Sequence, residues 1–174
     1  MMGREESAFE IRNATAYIQD RETFLLSLRT IGQDYGSTII CFDADLMVGR
    51  RHAELATRLA LRSFLGNASI ANSLEMEALL YGSGSRQCSV ASLFGIHEGE
   101  NHSFVCCCPP KNDIWDALRP LMQFNDNDWN DVGPQKQSRL KSLFSISDEE
   151  LAVAGESRFS DLVLERVALL EVYR

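Results

Sequence analysis

Apolar residues along this chain follow two rhythms, and the switches between them mark its elements. After Asp20, a good N-cap, Phe24, Leu25, Leu28 and Ile31 recur at helical spacing, and Gly32 reads as the residue that ends the helix. The segment STIICFDADLM then reads as a buried strand, with β-branched Thr38, Ile39 and Ile40 leading to the acidic turn Asp43-Ala44-Asp45. Gly49 opens a second helix, from about Arg50 to Leu65, which Gly66-Asn67 closes. Asn72 with Glu75 three residues on resembles a capping box, so a helix is expected to reach Tyr81 and stop at Gly82, with Ser85 capping another that ends at Gly95.

The second half carries fewer clear signals. NHSFVCCCPP is a short strand stopped by Pro109-Pro110, because proline cannot continue a ladder. NDIWDALRPLM is helical until Pro120 disrupts its last turn. Gln123 to Gln137 is polar and without period, and reads as the longest loop. Ser147 with Glu150 forms a second capping box before Leu151 to Ala154, and a final helix spans roughly Phe159 to Tyr173. Helices dominate, and the strands near Phe9 to Ala16, Thr38 to Phe42 and Phe104 to Cys108 are too few for a doubly wound sheet. The expected fold is α+β: one helix-rich domain over residues 1–174, with one small, mostly antiparallel or mixed sheet flanked by helices.

Charge narrows the function. A net charge of −8 excludes a surface that grips nucleic acid all over, since phosphate binding rests on Lys and Arg, but leaves room for a local basic patch. No window approaches the run of about 18 apolar residues of a membrane span, and the charged start MMGREESAFE lacks a secretory signal, so a cytoplasmic protein is expected. Cys41, Cys88 and the run Cys106 to Cys108 do not resemble a disulfide framework and read as reduced thiols.

Basic residues do cluster. On the helix after Gly49, Arg51, Arg58 and Arg62 share one stripe, which Arg50 and Arg86 extend as a phosphate-contact patch; the plain alternative is a solvated edge paired with local Glu. Arg86-Gln87 at a helix entrance suggests an anion site, or else an arginine folded onto Glu75 or Glu77. The last helix is apolar on two sides, Val163, Val167 and Leu170 on one and Leu162, Leu169 and Val172 on the other, so it is either clamped in the core or docks a partner. Asp43 and Asp45 form a carboxylate pair that would suit Mg²⁺ or acid–base work, yet no nucleophile or phosphate loop stands near. His52, His97 and His102 and the cysteine run lack metal-ligand spacing, so neither metal nor cofactor is expected, and no catalytic residue is assigned.

Three stretches, FDADLMVGRRHAELATRLALRSF, ASIANSLEMEALLYGSGSRQCSVASLFGI and, more weakly, NHSFVCCC, resemble the small kinase-binding subunit of the KEOPS complex, the PRPK-binding protein family. The most telling elements are Gly49-Arg50 with His52, the Asn72-Ser73 to Tyr81 helix, and Gly84 with Arg86-Gln87. Cys88 departs from the aliphatic residue expected there, and the Gln123 to Gln137 loop is unexplained by the resemblance. The resemblance implies a non-catalytic subunit that binds the small lobe of a kinase-like ATPase, in an assembly whose other subunit installs threonylcarbamoyl on the adenosine beside the tRNA anticodon. It also implies a part in holding tRNA, including its single-stranded 3′ end. Arg50, Arg51, Arg58, Arg62 and Arg86 are then the residues expected to meet RNA, and Met76, Leu80, Cys88, Val167, Leu170 and Tyr173 those expected to meet the kinase. Two rival readings are a small RNA-acting enzyme built on Asp43, Asp45, His52 and Arg86, and a protein-binding adaptor with no nucleic-acid role.

Overall fold

A computed structural model describes residues 7–172. The chain runs β1 (Glu10–Ile18), α1 (Arg21–Tyr35), β2 (Thr38–Asp43), α2 (Arg50–Leu65), α3 (Leu74–Ser83), α4 (Cys88–Ala91), β3 (Gly99–Cys108), α5 (Ile114–Leu118), β4 (Gln123–Asn125), α6 (Pro134–Leu143), α7 (Asp148–Ala154) and α8 (Phe159–Leu169). The strands form one sheet in the order β2-β3-β1-β4, antiparallel at every pairing. The fold is α+β.

Alternation along the strands builds two cores. Phe104, Cys106 and Cys108 of β3 join Ile11, Ile40 and Phe42 on one face, under α2, α3 and α8. Val105 and Cys107 join Ala14, Ile39 and Cys41 on the other, under α1 and α5. The cysteine run is therefore a fully buried central strand with small side chains on both faces. Burial pushes the Cys41 thiol up to about 12 and raises Cys107; for Cys106 the contact with Cys108 leads, with burial adding to it.

Two expected helix ends move. α1 runs past Gly32 to Gly36, whose φ of 66° makes it the actual cap. Gly32 serves a close approach instead: a Cβ there would meet the Ser37 carbonyl oxygen at 2.5 Å. Likewise α3 passes Gly82, which lies against the Phe42 ring, and ends at Gly84 with φ 63°. Its cap is Ser73, not Asn72, with Ser73 Oγ accepting from the Met76 N–H at 3.2 Å. After the joint the chain makes only one turn of α-helix and a 3₁₀ turn, Ser92–Phe94, before Gly95. The Gly84 joint packs on Phe144 and the Arg166 carbonyl, so it fixes the angle between α3 and the rest of the core.

The polar stretch from Gln123 to Gln137 is not one loop. It holds edge strand β4 and the first turn of α6, where Pro134 takes the position that lacks a partner for its N–H in any case. The last helix is shorter than expected, ending at Leu169; Tyr173 lies outside the described residues. Glu77 is buried in the core side of α3, where its carboxylate accepts from the N–H groups of Ile70 and Ala71 at 3.0 and 2.8 Å and from Ser63 Oγ at 2.8 Å. It thereby ties the α2–α3 connection to the core.

Candidate functional site

β1 is longer than its edge neighbour. β4 pairs only with Asn13, Ala14 and Thr15, which leaves Glu10, Ile11 and Arg12 without a strand on that side. Arg50, the first residue of α2, fills the gap: its Nη2 donates to the Ile11 carbonyl at 2.7 Å and its Nε to Glu54 Oε1 at 3.1 Å. Beside it opens a cavity of about 950 Å³ between the start of β1, α2 and the Pro109-Pro110-Lys111 turn. Arg50, Arg58 and Lys111 bring cations to its wall, Glu10 and Glu54 carboxylates, and Phe9 an aromatic face. A second cavity of about 620 Å³ shares Ile11 and Arg50 and is lined also by Arg12, Asp126 and Asp128. Arg50 thus stands between a groove with more cations than carboxylates and one in which the two balance.

The arginine stripe divides along α2. Arg58 and Arg51 are exposed and make no ion pair among the described residues. Arg62 reaches α8 instead, with its Nη2 at 2.7 Å from Glu171 Oε2, so its charge is met within the chain. Arg86 is exposed in the turn before α4, outside the helix it was expected to start, since Gln87 is the N-cap. Ser85 Oγ accepts the Gln87 N–H there, and the helix that follows has four residues, too short for the expected anion site.

Half of the expected partner surface is interior. Leu80 and Val167 have no exposed surface and Leu170 is 6% exposed, all three in the core under the sheet, because the faces of α3 and α8 that carry them are the ones turned towards α2. They cannot meet a partner without opening the monomer. Met76 is half-buried and Cys88 exposed. The second apolar side of α8 grades outward, from buried Leu162 to half-buried Leu169 to Val172, and Leu93 after α4 is also exposed.

The constellation behind an enzyme reading is not assembled. His52 is fully buried, accepting the Val48 N–H at Nδ1 (3.2 Å) and donating from Nε2 to the Gly82 carbonyl (2.7 Å). Burial pushes this imidazole down to about 4, so it is neutral and locks the turn before α2 onto α3. Asp43 and Asp45 instead face His97 and His102, at 3.7 and 3.4 Å. Burial raises the Asp43 carboxyl and lowers the neighbouring Lys136 ammonium. Among the described residues no group of three or more His, Cys, Asp or Glu is placed to hold a metal ion, and no helix is long and apolar enough to cross a membrane.

Two residues of the groove wall, Lys111 and Ile11, and one that holds the Arg50 backbone, Asn130, escape the sequence reading. Asn130 Oδ1 accepts the Arg50 N–H at 3.0 Å, from the polar stretch the resemblance left unexplained. The available signal was Gly49, which takes a φ of 131° and where a side chain would collide with Asn130.

A comparison with curated proteins finds no match. A family model, described as kinase binding protein CGI-121, matches residues 21–171, from the first turn of α1 to just beyond α8. The match takes in the arginine-bearing helix, the α3–α4 joint and the unexplained polar stretch alike, and so the chain belongs to the CGI-121 family of kinase binding proteins.

Proposed function

We propose that this chain is the small subunit of a cytoplasmic KEOPS-type assembly, where it binds the kinase-like ATPase, does no chemistry itself, and helps hold tRNA for threonylcarbamoyl-adenosine formation beside the anticodon. The kinase-binding family supports the protein half of this reading. The RNA half is carried by one observation: on a body of net charge −8, Arg50, Arg58 and Lys111 converge on a single groove with Phe9 beside them. Single-stranded nucleic acid is held by backbone charge together with stacking on aromatic faces, and this groove offers both. Arg51 extends the cationic rim, while Arg62 and Arg86 contribute at most at its margins. For the kinase, Met76 and Cys88 remain as contacts, joined by exposed Leu93.

The test uses the purified full chain with its kinase-like ATPase and a labelled tRNA. Arg58→Glu with Lys111→Glu is expected to weaken tRNA binding at least tenfold while leaving capture of the kinase intact. Leu93→Glu with Cys88→Glu is expected to do the reverse. Unchanged tRNA affinity in the first variant would leave the protein-binding adaptor as the better reading, and turnover of RNA or nucleotide by the chain alone would overturn the non-catalytic one.

A further inference from the structure

We infer that Asn130 is a positioning residue, holding Arg50 in place at the boundary of the two grooves through a strap formed by residues 126–133; this rests on the groove's reading as a phosphate site. Helix α2 begins badly by its own sequence. Gly49 offers no side chain to cap it, and its first turn has no acidic residue but two arginines, which oppose the positive end of the helix dipole. The missing cap comes from 80 residues further along, where Asn130 Oδ1 accepts the Arg50 N–H at 3.0 Å. The fit is close: a Cβ on Gly49 would lie 2.4 Å from that same oxygen.

The strap has anchors of its own. The Trp129 ring stacks on His102 with centroids 5.5 Å apart and meets Phe104 edge-on at 5.8 Å. Lys136 Nζ donates to the Trp129 carbonyl at 3.3 Å, and Asn13 Nδ2 donates to the Asn127 carbonyl. Trp129 takes a left-handed φ of 46°, uncommon for a non-glycine residue, while its ring packs on β3. Asn130 itself is exposed, so its side chain is not needed to fill the core. What it does touch is the backbone of an arginine whose guanidinium is itself held, by the Ile11 carbonyl and Glu54. Backbone and side chain of Arg50 are thus pinned from two directions, and the strap supplies one of them.

Measuring tRNA affinity by fluorescence anisotropy for wild type, Arg50→Ala, Asn130→Ala and the double variant tests this, with hydrogen exchange of the Arg50 amide as the second readout. Loss of a cap is expected to free the amide for exchange and to weaken binding up to about fivefold. The double variant should bind no more weakly than Arg50→Ala alone, because Asn130 acts through Arg50. Asn130→Asp, which can still accept the amide hydrogen, should restore its protection. If Arg50→Ala weakens binding but Asn130→Ala does not, or if the two losses simply add, the positioning role is overturned and the phosphate reading stands. If Arg50→Ala and Arg58→Glu both leave affinity unchanged, the phosphate reading falls and takes this role with it.

Discussion

His52 gives the sharpest test of how the α2–α3 scaffold is held. Its ring is neutral in the fold because burial lowers its proton affinity to about 4, whereas an unfolded histidine titrates near 6.5. Below pH 6.5 the unfolded chain takes up a proton that the folded chain refuses, so this group's contribution is intact at neutral pH and is lost as pH falls from 6.5 towards 4. Single-site linkage puts the loss at about 2 kcal/mol by pH 5 and about 3 kcal/mol by pH 4. Carboxylates titrate in the same window, so the measurement is a difference: urea unfolding of wild type and His52→Gln at pH 7 and pH 5. Glutamine keeps one donor and one acceptor near Val48 and Gly82 but carries no titrating proton. The variant is expected to start less stable, by about 1–3 kcal/mol for imperfect hydrogen bonds, and then to lose about 2 kcal/mol less than wild type on acidification. Parallel pH dependences in the two proteins would refute the claim that His52 is buried and neutral.

Three further outcomes follow from the core. Glu77→Ala strands the Ile70 and Ala71 N–H groups and the Ser63 hydroxyl, and is expected to cost about 3–5 kcal/mol in thermal or urea unfolding, whereas a surface glutamate would cost almost nothing. Leu80→Ala is expected to cost about 2–5 kcal/mol, since the side chain has no exposed surface; a loss of kinase binding at unchanged stability would return it to the interface. Under native conditions at pH 8 a thiol reagent should label Cys88 alone, with Cys41, Cys106, Cys107 and Cys108 reacting only after unfolding, and Cys88→Ser should abolish the fast phase.

The sequence disclosed most where a local rule had one structural meaning. α2 starts at Arg50 and stops at Leu65, between the two glycines that flank it, and the Ser147 cap accepts from the Glu150 N–H as the capping box demands. It misled where a residue type has two uses. Gly32 and Gly82 looked like helix ends, but both are buried contact points: the missing Cβ of Gly32 admits the Ser37 carbonyl, and Gly82 lies in ordinary contact with the Phe42 ring. α6 was invisible because only Leu140 on it is fully buried, so its apolar residues set up no period. Periodicity also assigned Leu80, Val167 and Leu170 to coherent faces correctly but gave no means of telling a face covered by this chain from one covered by another. The groove was half legible: Arg50 and Arg58 declared themselves on one helix, whereas Lys111 reaches it, and Asn130 reaches the Arg50 backbone, from distant segments that only the fold brings together.

If the groove holds tRNA as proposed, salt dependence counts the charges it commits, and the proposed contacts predict that number. A surface ion pair such as Arg62 with Glu171 is worth at most about 1 kcal/mol to the fold, but it leaves a carboxylate beside that arginine that repels phosphate. Arg62 should therefore release few counterions on binding tRNA. Arg50 is also engaged, yet partly by a neutral carbonyl, and it lines the cavity with Arg58 and Lys111. Taking these three as the contacts, a single strand laid in the groove should give a slope of log affinity against log salt of about −2. Arg58→Ala should bring it to about −1.4, and Arg62→Ala should leave it unchanged. A wild-type slope of about −4 or steeper, or one that responds to Arg62 as much as to Arg58, would mean that the whole stripe binds RNA and that the Glu171 contact opens to let it, in which case the division of α2 into a binding end and a structural end is wrong.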